Sequence, residues 1–234
     1  MNIDGDRTFR PRKTCAAIVA AWFAVLAIAL PVHAAAQESA PVSAVDRNSN
    51  DARLRAIGLR LTTANAAHCQ AAQTAAALPA AADAMPPRPV RGRCSGRFIV
   101  SSASQINAWA DGRDIGVTAK MMRFAGEDDT LAFVVAHELA HNILAHAERL
   151  RGISSQFVSV ADAQRIRETE IEADTLAIEL MTNAGFDPQA AQRLLSKLAK
   201  QGRAQMPPTY PSFAERIDLV KTLSGNADQP HIHE

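Results

Sequence analysis

The sequence predicts a mostly helical α+β fold with one small sheet. Alanine makes up roughly a fifth of the 234 residues and aromatic side chains only 5%, which favours helices over an aromatic-rich sandwich or barrel. Apolar residues recur at helical spacing from Leu131 to Leu150, while short strand-like runs are confined to residues 98–118. Hydrophobic residues at 47% and charged residues at 21% give a globular balance, enough for one core and at most two domains. A formal net charge of +1 does not resemble the basic stripe of a nucleic-acid binder, and it excludes an acidic disordered-tail protein.

The N-terminus has its own logic. Arg7, Arg10, Arg12 and Lys13 precede an almost unbroken apolar run from Cys15 to Val32, and Ala34, Ala35 and Ala36 follow before the polar Gln37. Basic, apolar and small residues in that order form a secretory signal peptide, residues 1–36. The alternative is an uncleaved signal anchor, because the run approaches the roughly 18 residues that can span a bilayer. Both readings export the chain to the periplasm or cell envelope; they differ in peripheral or signal-anchor membrane association. Cys15 stands at the start of the run, the wrong end for a lipidated cysteine. Residues 1–36 hold four Lys/Arg and two Asp/Glu, so the remainder has a formal charge of −1 and is near neutral. Export makes Cys69 and Cys94 a natural disulfide pair, closing a loop that contains Pro79, Pro86, Pro87 and Pro89; two free thiols are the other reading.

Residues 37–50, rich in Ser, Ala, Pro, Asn and Asp, read as a flexible linker. Leu54, Ile57, Leu59 and Leu61 with flanking arginines predict an amphipathic helix running toward Ala77, where prolines end it. Phe98 to Val100 is a strand candidate. Ile106 to Trp109, the Asp111-Gly112 turn and Ile115 to Thr118 form a hairpin, giving three strands in all. Thr118 caps a short helix through Phe124, and Asp128 or Asp129 caps the long helix to Leu150. After a loop at residues 151–160, a helix runs from about Asp162 to Thr182 and stops at Asn183-Ala184-Gly185. Asp187-Pro188 starts a helix reaching Lys200, and Ser212 with Glu215 forms a capping box for a last helix to about Leu223. The domain therefore spans residues 51–225, followed by a polar tail at 226–234 that carries His231 and His233.

His137-Glu138-Leu139-Ala140-His141 lies inside the most apolar helical stretch downstream of the leader. At about 100° per residue, positions four apart share a helix face roughly 6 Å from each other, so two imidazoles reach one ion. Zinc suits such a pair, one ion per chain, with Glu138 placed to act as general base on a water at the open position. An alanine-rich helix with these residues at its surface would need no metal, but Phe133, Val134, Val135, Leu139, Ile143 and Leu144 make the helix apolar on several faces. Buried histidines and a buried glutamate demand partners.

A third ligand is needed. On a continuous helix His146 lies about 140° around from His141 and faces away, and Glu148 is about 10 Å along the axis. The ligand must come from another element. Glu168-Thr169-Glu170-Ile171-Glu172-Ala173-Asp174 supplies Glu170 and Asp174 four apart on one face: Glu170 as metal ligand, Asp174 one turn on as the carboxylate that holds the N–H of a ligating histidine. A solvated acidic face is the competing reading, and it fits Glu168, Glu172 and Glu179 better. Ala173 and Ala177 allow close approach to the histidine helix.

These residues resemble the HtpX-like, CAAX-prenyl-protease-type zinc metallopeptidases of the gluzincin class, whose fold is zincin-like. The resemblance rests on H-E-x-x-H at His137 to His141, E-x-x-A-D at Glu170 to Asp174, and Asn107-Ala108-Trp109-Ala110 with Gly112 and Ile115-Gly116-Val117-Thr118 upstream. Leu54 to Asn65 (LRAIGLRLTTAN) is similar to the first helix of exported members. The resemblance implies that Asn107, Ala108 and Trp109 border the cleft and pair with an extended substrate; an edge strand with Trp109 filling the core is the plainer reading. A family His-Pro pair before the last helix corresponds to Tyr210-Pro211, so Tyr210 takes the place of a histidine near the oxyanion, where a phenol can still donate a hydrogen bond. Arg216 reads as structural and His68 as a helix-end residue.

The expectation is an exported, minimal zinc endopeptidase acting on unfolded or flexible protein segments in envelope quality control. It has no transmembrane helices within the catalytic region and no added PDZ or tetratricopeptide domain. The alternative is a catalytically silent or latent zinc-containing binding protein of the same fold. The sequence leaves the oligomeric state undetermined.

Overall fold

A computed structural model describes residues 44–74, 92–94, 96–153, 158–201 and 209–227. The expected signal peptide, the proline-rich loop and the His231/His233 tail lie outside them. Among the described residues the chain runs α1 (Ala44–Ala64), α2 (Ala66–Thr74), β1 (Phe98–Ser101), β2 (Ala108–Ala110), β3 (Ile115–Thr118), α3 (Ala119–Ala125), α4 (Asp128–Ile143), α5 (His146–Arg149), α6 (Val160–Asn183), α7 (Ala190–Lys200) and α8 (Phe213–Ala227). The predicted mostly helical α+β class is the observed one.

The sheet has the order β1-β3-β2, with β1 parallel and β2 antiparallel to β3. Its hairpin register pairs Ala108 with Val117 and Ala110 with Ile115. The Asp111 carboxylate accepts from the N–H groups of Arg113 and Asp114, closing the turn with the side chain. Asp114 in turn accepts from the backbone and guanidinium of Arg97, tying the turn to the start of β1. Thr118 ends β3 and caps α3 through Oγ1, which accepts from Met121 N at 3.0 Å.

α4 is the axis of the domain. Thr130 to Ile143 are all buried, and α6 is its most extensive neighbour. Ala173 and Ala177, fully buried on α6, leave room for that approach. Asp128 and Asp129 occupy the first turn of α4, where negative charge complements the helix dipole. Glu127 is the N-cap residue, and Asp129 Oδ1 accepts from Asp187 N at 3.0 Å, locking the start of α4 to the turn before α7. The capping box of α8 forms as predicted: Ser212 Oγ accepts from Glu215 N, and a Glu215 oxygen accepts from Ser212 N.

Several boundaries differ from expectation. The stretch 37–50 is not linker throughout, since α1 already begins at Ala44. The helix expected from Leu54 toward Ala77 is two helices broken at Asn65, whose side chain donates to Leu61 O and Leu180 O and accepts from Asn183. That amide offsets the interruption by pinning α1 to α6. Leu54, Ile57 and Leu61 are core, but Leu59 is 65% exposed. The long helix ends at Ile143 rather than Leu150; Leu144 closes it, and Ala145 adopts a left-handed φ of 55° and ψ of 38° before α5. No Gly or Pro in 140–150 announces this break, which redirects His146. α7 starts at Ala190, with Asp187 holding the preceding turn through Gln189 N.

Candidate metal centre

His137 and His141 project from one face of α4, and their Nε2 atoms lie 3.0 Å apart. Glu170, midway along α6, faces them across the helix interface: its Oε2 is 3.7 Å from His137 Nε2 and its Oε1 3.9 Å from His141 Nε2. The three donor atoms lie within 4.8 Å of one another, and all three residues are buried, at 4, 2 and 1% exposure. The spacing in sequence thus becomes one three-donor cluster built from two helices.

The donor chemistry fits a divalent cation. Burial pushes both imidazoles toward the neutral form, His141 strongly, and burial raises the Glu170 carboxyl well above its ordinary range. Glu170 Oε2 and Glu138 Oε2 are buried acceptors without a hydrogen-bond donor. Orphaned buried carboxylate oxygens are costly unless a cation or proton satisfies them. Two neutral nitrogens and a carboxylate at this separation are a donor set that a metal ion completes.

Around the cluster, the structure fixes the ligand rings. His137 Nδ1 lies 2.9 Å from Asp174 Oδ1. Burial alone would raise the Asp174 carboxyl, but the Arg216 guanidinium and the His137 hydrogen bond outweigh it and hold it down at about 2. An ionised carboxylate only accepts, so His137 carries its proton on Nδ1 and keeps the Nε2 lone pair for the cluster. Arg216, expected to be structural, is the buried cation that makes this possible: its Nε and Nη2 donate to the two Asp174 oxygens at 2.7 and 2.6 Å.

Glu138 is 2% exposed, and burial raises its carboxyl to about 8, with Arg216 opposing the shift. Tyr210 is half-buried against Leu150, Ile153 and Ile166; burial and the Glu170 charge raise its phenol, which therefore stays protonated and able to donate. Asn107, Ala108 and Trp109 lie at β2. Asn107 exchanges hydrogen bonds with Thr118 through its backbone, and its buried Oδ1 has no donor. The Trp109 ring lies over Gly116 of β3, where a Cβ would meet Cζ2 at 2.0 Å, so this tryptophan packs the sheet. Ala108 and Ala110 point their backbone groups away from β3, yet both residues are buried.

Cys69 and Cys94 are joined in a disulfide, which fits an oxidising compartment. No helix among the described residues is long and apolar enough to cross a membrane. His68, at α2, pairs with Glu179 at 3.0 Å. Sequence reasoning missed one residue at the centre. His146 does not face away; its Nδ1 lies 2.7 Å from His141 Nδ1. Glu172, read as solvated surface, is exposed at its side chain as expected, and from there it accepts from Arg149 and sits 3.0 Å from His146 Nε2. Only the helix break at Ala145 puts His146 there, and sequence periodicity carries no trace of it.

A buried His-His-Glu cluster with a further glutamate between the two histidines is an arrangement that metallopeptidases use. Residues 95–163 match the model of peptidase family M48, a segment that includes His137, Glu138 and His141 and stops short of Glu170. The chain is also similar to the beta-barrel assembly-enhancing protease of Yersinia pestis, 27% identical over 172 residues (57% of this chain, 35% of that protein). The protein of the same name in Escherichia coli K12 is 25% identical over 158 residues (51% and 32%). The chain spans about a third of the length of these relatives. Together with the site geometry, these matches support an M48-type metallopeptidase.

Proposed function

We propose that the chain is a zinc-dependent endopeptidase that cleaves unfolded or flexible protein segments at the cell envelope after export. The carrying observation is the convergence of His137, His141 and Glu170, with the unpartnered Oε2 of Glu138 buried beside them. Zinc held by those three residues would supply a Lewis acid that polarises the peptide carbonyl and acidifies water. Glu138 takes the proton of the attacking water and delivers it to the leaving amine. Asp174 keeps His137 in the ligating tautomer, and the Tyr210 phenol donates to the developing oxyanion. β2 presents the backbone of Ala108 and Ala110 to an extended substrate, a mode that reads main chain more than side chains and so predicts broad specificity. Export is supported by the disulfide together with the basic, apolar and small-residue order of residues 1–36.

The test is zinc content and casein cleavage by the purified protein and its Glu138→Gln and Glu170→Ala variants. One zinc per chain, cleavage lost in Glu138→Gln with zinc retained, and zinc lost in Glu170→Ala are the expected results. Equal cleavage by wild type and Glu138→Gln would remove Glu138 as the base; a chain that binds no zinc would remove the metal assignment.

A second reading, a latent or silent zinc-containing binding protein, is favoured by closure of the site. Every donor is buried, and so are Ala108 and Ala110 on the strand meant to receive substrate. Tyr210 also stands where the resembling family has histidine. Tight zinc binding without cleavage of any unfolded substrate would decide for this reading.

A further inference from the structure

The two histidines of the cluster are held from behind by different devices. His137 meets a carboxylate directly, the Asp174–Arg216 pair. His141 meets another imidazole, His146 Nδ1 at 2.7 Å, and behind it stands a second carboxylate–arginine pair, Glu172 with Arg149. His146 is fully buried.

We propose that His146 is a positioning residue that holds His141 in its ligating tautomer, with Glu172 and Arg149 selecting the tautomer of His146 itself; this rests on the zinc reading above. Two nitrogens 2.7 Å apart share one proton, so one ring donates and the other accepts. If His146 Nδ1 donated, its Nε2 would turn a lone pair toward the Glu172 carboxylate 3.0 Å away, and His141 would carry its proton on Nε2, the atom facing the cluster. Both consequences are unfavourable. In the other arrangement His146 Nε2–H donates to Glu172 Oε2, His141 Nδ1–H donates to His146 Nδ1, and His141 Nε2 turns its lone pair toward the cluster. Arg149 decides between them, because its guanidinium donates to both oxygens of Glu172, the two-pronged pairing of an arginine with an acceptor-only carboxylate. The left-handed Ala145 is the backbone device that makes the contact possible, by ending α4 and returning His146 toward it.

The test is zinc affinity, by competition with a chromophoric chelator, for the full chain and its His146→Leu, His146→Gln and Glu172→Gln variants, with the melting temperature of each metal-free protein measured alongside. His146→Leu fills the space but offers His141 no acceptor, and is expected to weaken zinc binding about 10- to 100-fold. His146→Gln, whose amide oxygen can accept, should recover most of that loss, and Glu172→Gln should fall between. A residue that merely packs would lower the metal-free melting temperature in both His146 variants without separating their zinc affinities. Should the variants fail to fold, long-range ¹H–¹⁵N correlation on the wild-type zinc protein reads the tautomers: protons on Nδ1 of His137 and His141 and on Nε2 of His146 are expected. His146→Leu binding zinc as tightly as wild type, equal losses in the Leu and Gln variants, or His146 protonated on Nδ1 would each overturn the proposal. Wild type that binds no zinc would instead overturn the function on which it rests.

Discussion

Arg216 donates to both carboxylate oxygens of Asp174, at 2.6 and 2.7 Å, and both residues are buried beside His137. Two charges removed from water in this way are tolerable only together. Arg216→Met leaves Asp174 ionised without its cation and is expected to cost about 3–5 kcal/mol in denaturant unfolding. The double change Asp174→Asn/Arg216→Met should cost less than the two single changes added, because no unpaired charge is left behind. A loss below about 1 kcal/mol in Arg216→Met would show the pair to be dispensable for folding.

The sign of its pH dependence follows. Asp174 is depressed from 3.8 to about 2, so its contribution is fully present above pH 3.8 and is lost as pH falls toward 2. The buried histidines are depressed as well, and their contribution is lost as pH falls below 6.5. The metal-free protein should therefore lose stability in two stages on acidification, and Asp174→Asn/Arg216→Met should abolish the lower one. A single transition in both proteins would contradict this.

The fold class and the three donors are legible in the sequence because both rest on local regularities. Four-residue spacing fixes a helix face whatever surrounds it, which is why His137 with His141 and Glu170 with Asp174 stand out as pairs. Cap residues such as Thr118, Ser212 and Glu215 act within one turn and are equally readable. What escapes depends on distant partners. α4 ends at Ile143 although 145–150 continue an apolar, helix-favouring pattern, and neither Gly nor Pro marks the turn. Periodicity assumes an unbroken helix, so it sends His146 to the wrong face. Asn65 deceives in the same way: its side chain is satisfied by Leu180 and Asn183, more than a hundred residues on.

Glu138 gives the metal-free protein an opposite pH slope. Its carboxyl is raised from 4.5 to about 8, so the folded state binds a proton that the unfolded chain has released. The contribution of Glu138 to stability then falls as pH rises from 4.5 to about 8, against the slope of the histidines. Glu138→Gln removes the ionisation and should leave the metal-free protein more stable than wild type at pH 8, by up to a few kcal/mol, since each tenfold gain in proton affinity on folding is worth roughly 1.4 kcal/mol. Denaturant unfolding at pH 5 and pH 8 measures it; an equal change at both values would show that Glu138 is not held proton-bound.

Trp109 can serve packing or substrate, and the two separate experimentally. Its ring occupies the space above Gly116. Gly116→Ala should destabilise by about 1–3 kcal/mol through overpacking, and Trp109→Ala combined with it should recover part of that loss. If Trp109 only packs, Trp109→Ala lowers the melting temperature and leaves KM for an unfolded substrate unchanged. A raised KM at a temperature where the variant is fully folded would give it a place in the cleft.

The disulfide between Cys69 and Cys94 spans a sequence separation of 25. Its loss through Cys69→Ala/Cys94→Ala is expected to cost about 2–4 kcal/mol, since the cross-link restricts the unfolded chain. The same chemistry reports on the N-terminus. The chain has three cysteines, and Cys15 is the one that lies within residues 1–36. Protein recovered from the compartment where it acts should show no free thiol after denaturation if that segment has been cleaved, and one if it is retained as an anchor. Two or more would mean that Cys69 and Cys94 are reduced there, and the argument from the disulfide to export would fall.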